Sequence, residues 1–262
     1  MITQNFFSAD SQIQEAQQTK KFAVKLAILF VVFFALLCIF SPYVRGSDQY
    51  WYVGDVERVV LQDGLFRSNS IFPASLPDDV SKLPRPWVQN KPVSYIVLGI
   101  TYLTQNGQFA WLILNSICLF LTAWFTAKAL HIAKDKRMPL IAMFVFFPLN
   151  FYLATQALPE IFLMFLISVM GWLLLAAKKS TSNSVLLAFV AGFLICHRPN
   201  YILLLLLIPC IQFILYREEA WKMALIFVAV SLTTAYAGSL LLAEHLIRVP
   251  SIFDTVLNNM PG

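Results

Sequence analysis

Ionisable residues in this sequence gather where apolar runs end. Asp48 follows the first such run, within "GSDQYWYVGDVERVV", Glu160 opens a later run in "LATQALPEIF", and "CHRPNY" joins two others. Carboxylates transfer protons and cations bind anions, whereas ionisable groups at lipid depth are costly unless they face a protein interior or a water-filled cavity. The pattern therefore predicts a polar site where helix ends converge. Its candidate members are Asp48, Lys91, Glu160, His197 and Arg198, with Glu244, His245 and Arg248 after the last run.

The composition indicates an integral membrane protein. Of the 262 residues, 59% are apolar and only 13% are charged, about half the charged fraction of a soluble domain. The net charge of +5 is no sign of nucleic-acid binding, because the basic residues cluster in short segments between apolar runs. The four cysteines lie in or beside apolar runs with no CxxC or Cys/His cluster, so neither a disulfide framework nor a zinc site is expected.

The apolar runs predict an all-α fold, a polytopic bundle of about seven transmembrane helices. Several runs are short for a hydrocarbon core of about 30 Å, so their ends would extend into flanking residues or the bilayer would thin locally. The predicted spans are Phe22–Phe40, Phe109–Leu130, Leu140–Thr155, Ile161–Ala177, Val185–Cys196, Tyr201–Tyr216 and Trp221–Leu246.

Basic residues predict the orientation of these spans. Eleven of the nineteen Lys and Arg residues fall in short segments at one set of helix ends, and the short loops at the other set hold almost none. Cytoplasmic loops carry the excess of Lys and Arg, so the N-terminus is predicted to be cytoplasmic in a multi-pass protein of the cell membrane. Residues 1–21 would form a cytoplasmic tail, with one weak amphipathic turn at most, and residues 22–262 the membrane domain.

A long extracytoplasmic loop, 41–108, is expected to carry two surface helices. One is Pro92–Thr104, "PVSYIVLGITYLT", which is too short to span a bilayer and would invert every later loop if it did. The other follows the first span. There an apolar stripe would form on one helix face and Asp48, Tyr52 and Asp55 would share another. The stripe consists of Val53, Val56, Val59 and Val60.

The order of these motifs resembles the GT-C superfamily of membrane glycosyltransferases, which use polyprenyl-phosphate sugars. The acidic motif after the first span comes first, then "KPVSY", which is similar to the family's KPP-Y motif with Val93 in place of the second proline. "FFPLNFYLATQALPE" then leads to a second acid, and "GFLICHRPNYILLLLLIP" supplies a basic motif. The resemblance covers roughly Lys20 to Leu246 and extends to protein mannosyltransferases, aminoarabinose transferases and GPI mannosyltransferases.

The resemblance implies a reaction and a set of roles. Asp48 would take a proton from an acceptor hydroxyl, whose oxygen displaces the lipid phosphate from the sugar with inversion. Lys91, Arg198 and Arg45 would supply positive charge to that phosphate, since Arg can hold two oxygens at once. Glu160 would orient the acceptor, pair with a base or hold a divalent cation, although no ligand spacing demands a metal. Tyr52 and His197 complete the expected substrate-binding set, and membrane lipids and a glycan, lipid or protein acceptor are the other expected partners.

Each residue also has a structural reading. Asp48 suits a helix cap, and Glu160 suits the first turn of a helix, where an acid is favoured by the helix dipole. Arg198 would serve as an interfacial anchor that snorkels, and His197 as a hydrogen-bonded structural histidine. The tryptophans and tyrosines fit an interfacial aromatic belt as well as they fit sugar stacking.

The sequence leaves two alternatives to the transferase function. The members of the family are mostly longer than this chain, which would make it a minimal enzyme, a subunit that requires a partner or a fragment. The leading rival is therefore a non-catalytic membrane subunit that binds a lipid-linked saccharide or a larger transferase. A transporter is third, because no internal repeat is evident and the charges lie at the ends of spans rather than at their middles.

Overall fold

The computed structural model describes residues 3–41, 53, 56, 92–176, 180–216 and 220–246. Every regular element in these ranges is helical, so the all-α prediction is confirmed for them. A short 3-10 helix, Pro199–Leu203, connects two of the elements. The α-helices are α1 (Thr3–Phe40), α2 (Pro92–Thr104), α3 (Gly107–Ala129), α4 (Lys134–Val145), α5 (Pro148–Thr155), α6 (Glu160–Leu175), α7 (Thr181–His197), α8 (Leu204–Tyr216) and α9 (Ala220–Leu246).

Three helices among the described residues are long and apolar enough to cross a bilayer: Ala16–Phe40, Gly107–Ala129 and Ala220–Gly238. The pair α4 and α5 makes a fourth span if it is counted as one broken helix. The other predicted spans coincide with α6, α7 and α8, which are apolar but shorter than 18 residues. At about 1.5 Å per residue, 16 residues of α6 cover about 24 Å, less than a typical hydrocarbon core. The structure therefore supports a membrane protein, and seven spans remains a prediction.

Local sequence explains where several helices begin and break. The side chain of Asn106 accepts a hydrogen bond from the Phe109 N–H at 2.8 Å and so caps α3. Pro148 separates α4 from α5, whose axes are bent by 61°. Proline lacks the N–H that would continue the helix and holds Phe147 before it in a non-helical conformation, with φ −58° and ψ 128°. The predicted single span over 140–155 is therefore two helices.

The two predicted surface helices are described to different extents. Pro92–Thr104 is a helix with the predicted bounds, and Val93, Val97 and Thr101 on one of its faces are fully buried. Val53 and Val56 are helical and buried in the main core, as the predicted apolar stripe requires, while the remainder of that helix lies outside the described residues. The first helix starts well before its apolar run, at Thr3, so the segment predicted as a tail is helical from that residue.

The centre of the bundle is α3, which packs on α1, α2, α4, α5 and most extensively on α6. From α6 the packing continues through α7 to α9, with α8 against α9. The first helix is held at the side of this bundle largely by aromatic rings. Phe33 is fully buried and meets Phe120, Phe146 and Phe151 edge to face, with ring centroids 5.5, 5.5 and 5.7 Å away.

Replacing Phe33 with Ala should loosen the attachment of α1. Edge-to-face pairs contribute roughly 0.5–1.5 kcal/mol each, so the loss of three should lower the free energy of unfolding by about 2–4 kcal/mol. Thermal unfolding in a fixed detergent measures this effect. Val31→Ala, on the exposed face of the same helix, is the control and should change the unfolding temperature little. An equal shift for the two variants would contradict the packing described here.

Candidate functional site

Glu160 and Arg198 come together because two neighbouring helices run in opposite directions. Glu160 is the first residue of α6 and Arg198 directly follows α7, so the start of one helix lies beside the end of the other. Pro199 favours an extended conformation for Arg198, whose φ of −142° and ψ of 116° end the helix there. Residues 38 positions apart in the sequence thus meet at one end of the bundle.

The contact between these residues is a short ion pair. Arg198 Nη2 donates a hydrogen bond to Glu160 Oε1 at 2.5 Å, with 42% of the arginine and 35% of the glutamate side chain exposed. Oε2 of Glu160 is buried and has no hydrogen-bond partner among the described residues. The pair therefore presents a guanidinium that solvent or a ligand can reach, beside a carboxylate whose second oxygen is buried.

A buried asparagine holds the loop before Glu160. Asn115 lies in α3 with no exposed surface, and its amide donates hydrogen bonds to the carbonyl oxygens of Gln156 at 2.7 Å and Ala154 at 3.3 Å. Gln156 in turn donates to the Thr155 hydroxyl at 3.0 Å. These bonds satisfy backbone carbonyls that the end of α5 leaves without helical partners. The loop that delivers Glu160 is thereby fixed to the central helix.

A tyrosine and a cysteine lie near each other at the end of α7 that also carries Arg198. The hydroxyl of Tyr95, in α2, is buried and has no hydrogen-bond partner among the described residues. Burial raises the pKa of Tyr95 and the nearby Cys196 thiol raises it further, so the hydroxyl stays protonated at neutral pH. Cys196 also packs against α9, where a Cβ added to Gly238 would lie 3.0 Å from its sulfur.

His197 lies in the interior between α6 and α7. It is 3% exposed, and its ring is tilted against that of Phe162 with centroids 6.1 Å apart. This burial argues against a direct role at the solvent-accessible ion pair, and the hydrogen bonds of the structural reading stay a prediction. Within the described ranges, no group of three His, Cys, Asp or Glu residues is arranged to hold a metal ion. A divalent cation at Glu160 therefore stays a sequence-based prediction.

The ion pair lies far from the cluster of basic residues. Trp172 lies near the other end of α6. The centroid of its ring is 5.6 Å from the ammonium nitrogen of Lys128, at the end of α3. Twelve residues separate Glu160 from Trp172, or about 18 Å of helix. Phe22 of α1, between Lys21 and Lys25, packs in a tilted arrangement against Trp124 at the same end of α3. The basic segments of α1, α3 and α4 thus share one end of the bundle, and Glu160 and Arg198 lie at the other.

The predicted site is therefore described in part. The structure brings Glu160 and Arg198 into contact and places His197 beside them in the interior. The other four predicted members, Asp48, Arg45, Tyr52 and Lys91, lie outside the described residues. Sequence reasoning missed Asn115 and Tyr95. An amide within the apolar run "WLILNSICLF" was a visible signal for the first, because a buried polar group needs hydrogen-bond partners. The signal for Tyr95 was its place as the last residue of the "KPVSY" motif, to which no role was assigned.

Comparison with protein-family models, curated proteins and solved structures finds no match for this chain. The similarity to GT-C transferases is thus carried by the order of the sequence motifs alone.

The Glu160–Arg198 pair should contribute little to stability. Both side chains are more than a third exposed, and such exposed pairs typically contribute about 0.2–1 kcal/mol. A double-mutant cycle with Glu160→Gln and Arg198→Gln, followed by thermal unfolding, should give a coupling energy within that range. A coupling energy of several kcal/mol would identify the pair as a structural lock between α6 and α7 and remove the reason to look for a chemical role.

Proposed function

We propose that this protein is a membrane glycosyltransferase that moves a sugar from a polyprenyl-phosphate carrier to an acceptor on the extracytoplasmic side. The observation that carries the proposal is the accessible Glu160–Arg198 pair at the end of the bundle opposite the basic cluster. By the positive-inside rule the basic end is cytoplasmic. The ion pair would then face the outer leaflet, where a lipid-linked sugar and a water-soluble acceptor can meet.

The proposed reaction is an inverting displacement at the sugar. Asp48 accepts the proton of an acceptor hydroxyl while the hydroxyl oxygen forms a bond to C1. The bond between C1 and the phosphate oxygen breaks, and its electron pair leaves with the polyprenyl phosphate. A positioned base of this kind contributes about 10²–10⁴ in rate.

Arg198 is the described residue best suited to the departing phosphate. Its guanidinium is partly exposed and already engages an anionic oxygen, that of Glu160. A phosphate can replace or share this partner, because the planar fork of arginine matches two oxygens of either group. Lys91 and Arg45 would add charge, and Glu160 would hold Arg198 in place before the donor binds.

The proposal includes a finer topology. Seven spans with a cytoplasmic N-terminus place the loops before Glu160 and after His197 outside, together with the segment that contains Asp48. The helices α6, α7 and α8 would count as spans despite their lengths, with local thinning of the bilayer or flanking residues making up the difference. Tyr52 would contact substrate from the loop, and Pro92–Thr104 would lie at the membrane surface.

Mass spectrometry of lipids from a strain that lacks the gene tests the function. We expect one polyprenyl-phosphate sugar to accumulate, because its consumption would be blocked, and its mass would identify the donor. Restoring the gene should return that lipid to its normal level. An unchanged lipid profile would contradict the transferase and favour a non-catalytic subunit of a larger assembly.

A further inference from the structure

Two cations lie over one indole ring at the basic end of the bundle. The ring belongs to Trp124, near the end of α3. Lys128 Nζ lies 5.2 Å from its centroid and the Arg137 guanidinium, from α4, lies 5.8 Å from it. Lys128 is also 5.6 Å from the ring of Trp172 in α6. Residues from three helices therefore build one half-buried cationic group with aromatic walls.

The charge of this group is not neutralised by the described part of the chain. Neither Lys128 nor Arg137 forms an ion pair with a carboxylate there, and the acid nearest in sequence, Asp135, lies between two further basic residues, Lys134 and Lys136. The Arg137 Nε–H donates to the Ile132 carbonyl at 2.9 Å, which leaves the two terminal nitrogens of its guanidinium for another acceptor. Indole faces attract cations, but they do not remove the repulsion between two of them.

The surroundings of this group favour a lipid over a soluble anion. Phe22 of α1 packs on Trp124 with ring centroids 5.6 Å apart. On α3, Leu121 and Ile117 lie about one and two helical turns before Trp124 on the same face, and both are exposed. A molecule with a phosphate at the cations would therefore have a surface for its acyl chains alongside. Tryptophan is also enriched at the level of the lipid headgroups.

We propose that Lys128 and Arg137 bind the phosphate headgroup of an anionic phospholipid, with Trp124 and Trp172 as the walls of the site. The site is independent of the glycosyltransferase proposal, since it lies at the other end of α6 and involves none of the same residues. Its ligand is a structural lipid of the leaflet that faces the basic end, and the headgroup phosphate sits between the two cations.

Native mass spectrometry of the purified full-length protein tests the site. The protein is released from nanodiscs that contain equal amounts of phosphatidylglycerol and phosphatidylcholine. We expect preferential retention of phosphatidylglycerol. Lys128→Gln and Arg137→Gln should each weaken that preference about fivefold, since one basic residue near an anionic lipid surface has an effect of about this size. Lys136→Gln is the matched control. Lys136 is an exposed base at the same end of the bundle, and its substitution removes the same charge.

Three results would overturn the proposal. The first is equal retention of the two lipids by the unaltered protein, which requires no variant to fold. The second is an equal loss for Lys136→Gln, because the preference would then reflect general surface charge. The third is full displacement of the bound lipid by millimolar glycerol phosphate, because the site would then bind a soluble phosphate and not a lipid.

Discussion

Replacing Asp48 with Asn should reduce sugar transfer by about 10²–10⁴-fold while the protein still folds. Asparagine keeps the size and the capping oxygen of aspartate but cannot take the proton of an acceptor hydroxyl. The variant is expressed in the gene-deletion strain, and the level of the accumulated polyprenyl-phosphate sugar is measured. We expect the lipid to remain elevated at a normal amount of folded protein, judged by its elution from a gel-filtration column in detergent.

Asp55→Asn is the control for this experiment. Asp55 is the other acid that the sequence places on the same predicted helix face, and we expect it to be a solvated residue with no part in the reaction. The Asp55→Asn protein should restore the normal lipid level. A return to that level with Asp48→Asn as well would remove Asp48 from the mechanism and leave helix capping as its role.

The second large effect concerns the packing of α7 on α9. A Cβ added to Gly192 would lie 2.5 Å from the Ser231 carbonyl oxygen and 2.6 Å from Thr234 Cβ. These are backbone and Cβ atoms, which cannot rotate away, so Gly192→Ala must push the two helices apart. The same interface carries a hydrogen bond from the Ser231 hydroxyl to the Ala188 carbonyl at 3.0 Å, which the displacement would stretch. Close approach of backbones at small residues is a major source of helix association in membranes.

We expect Gly192→Ala to lower the free energy of unfolding by about 1–3 kcal/mol, the usual cost of overpacking, and Gly192→Leu to prevent stable folding. Gly171→Ala is the matched control, because Gly171 also lies inside a helix but has no atom within 4 Å of an added Cβ. There the better helix propensity of alanine should raise stability by up to about 1 kcal/mol. Thermal unfolding of the two variants should therefore give shifts of opposite sign. Shifts of the same sign would contradict the described α7–α9 contact.

The sequence predicts those features that depend on local pattern. The apolar helix Pro92–Thr104 has the predicted bounds, and the later helices begin or end within a few residues of the predicted runs, because runs of apolar residues and helix caps are local signals. The break at Pro148 was missed although the proline is visible. Length and hydropathy over 140–155 suggested one helix, and the effect of proline on Phe147 outweighed both.

For residues far apart in the sequence, the sequence predicts which end of the bundle they share but not which side chains touch. Counting tight loops between antiparallel helices places Glu160 and Arg198 at the same end. Pairing with a base was one of the roles predicted for Glu160, but the count does not say which base is the partner. The Asn115 bonds to the loop and the proximity of Tyr95 to Cys196 depend on how α2 and α3 rotate about their axes. That rotation is set by the packing of Val93, Val97 and many other apolar residues together, and no single motif encodes it.

The central claim is that Arg198, at the end of the bundle opposite the basic cluster, stabilises a departing lipid phosphate. The most direct test gives purified protein in nanodiscs the donor that accumulates in the deletion strain, together with an extract of that strain that supplies the acceptor hydroxyl, and measures the release of polyprenyl phosphate. We predict that the unaltered protein releases polyprenyl phosphate. Arg198→Gln should release it at least about 10²-fold more slowly, although its stability falls by no more than about 1 kcal/mol. Release at the unaltered rate by Arg198→Gln would contradict the account.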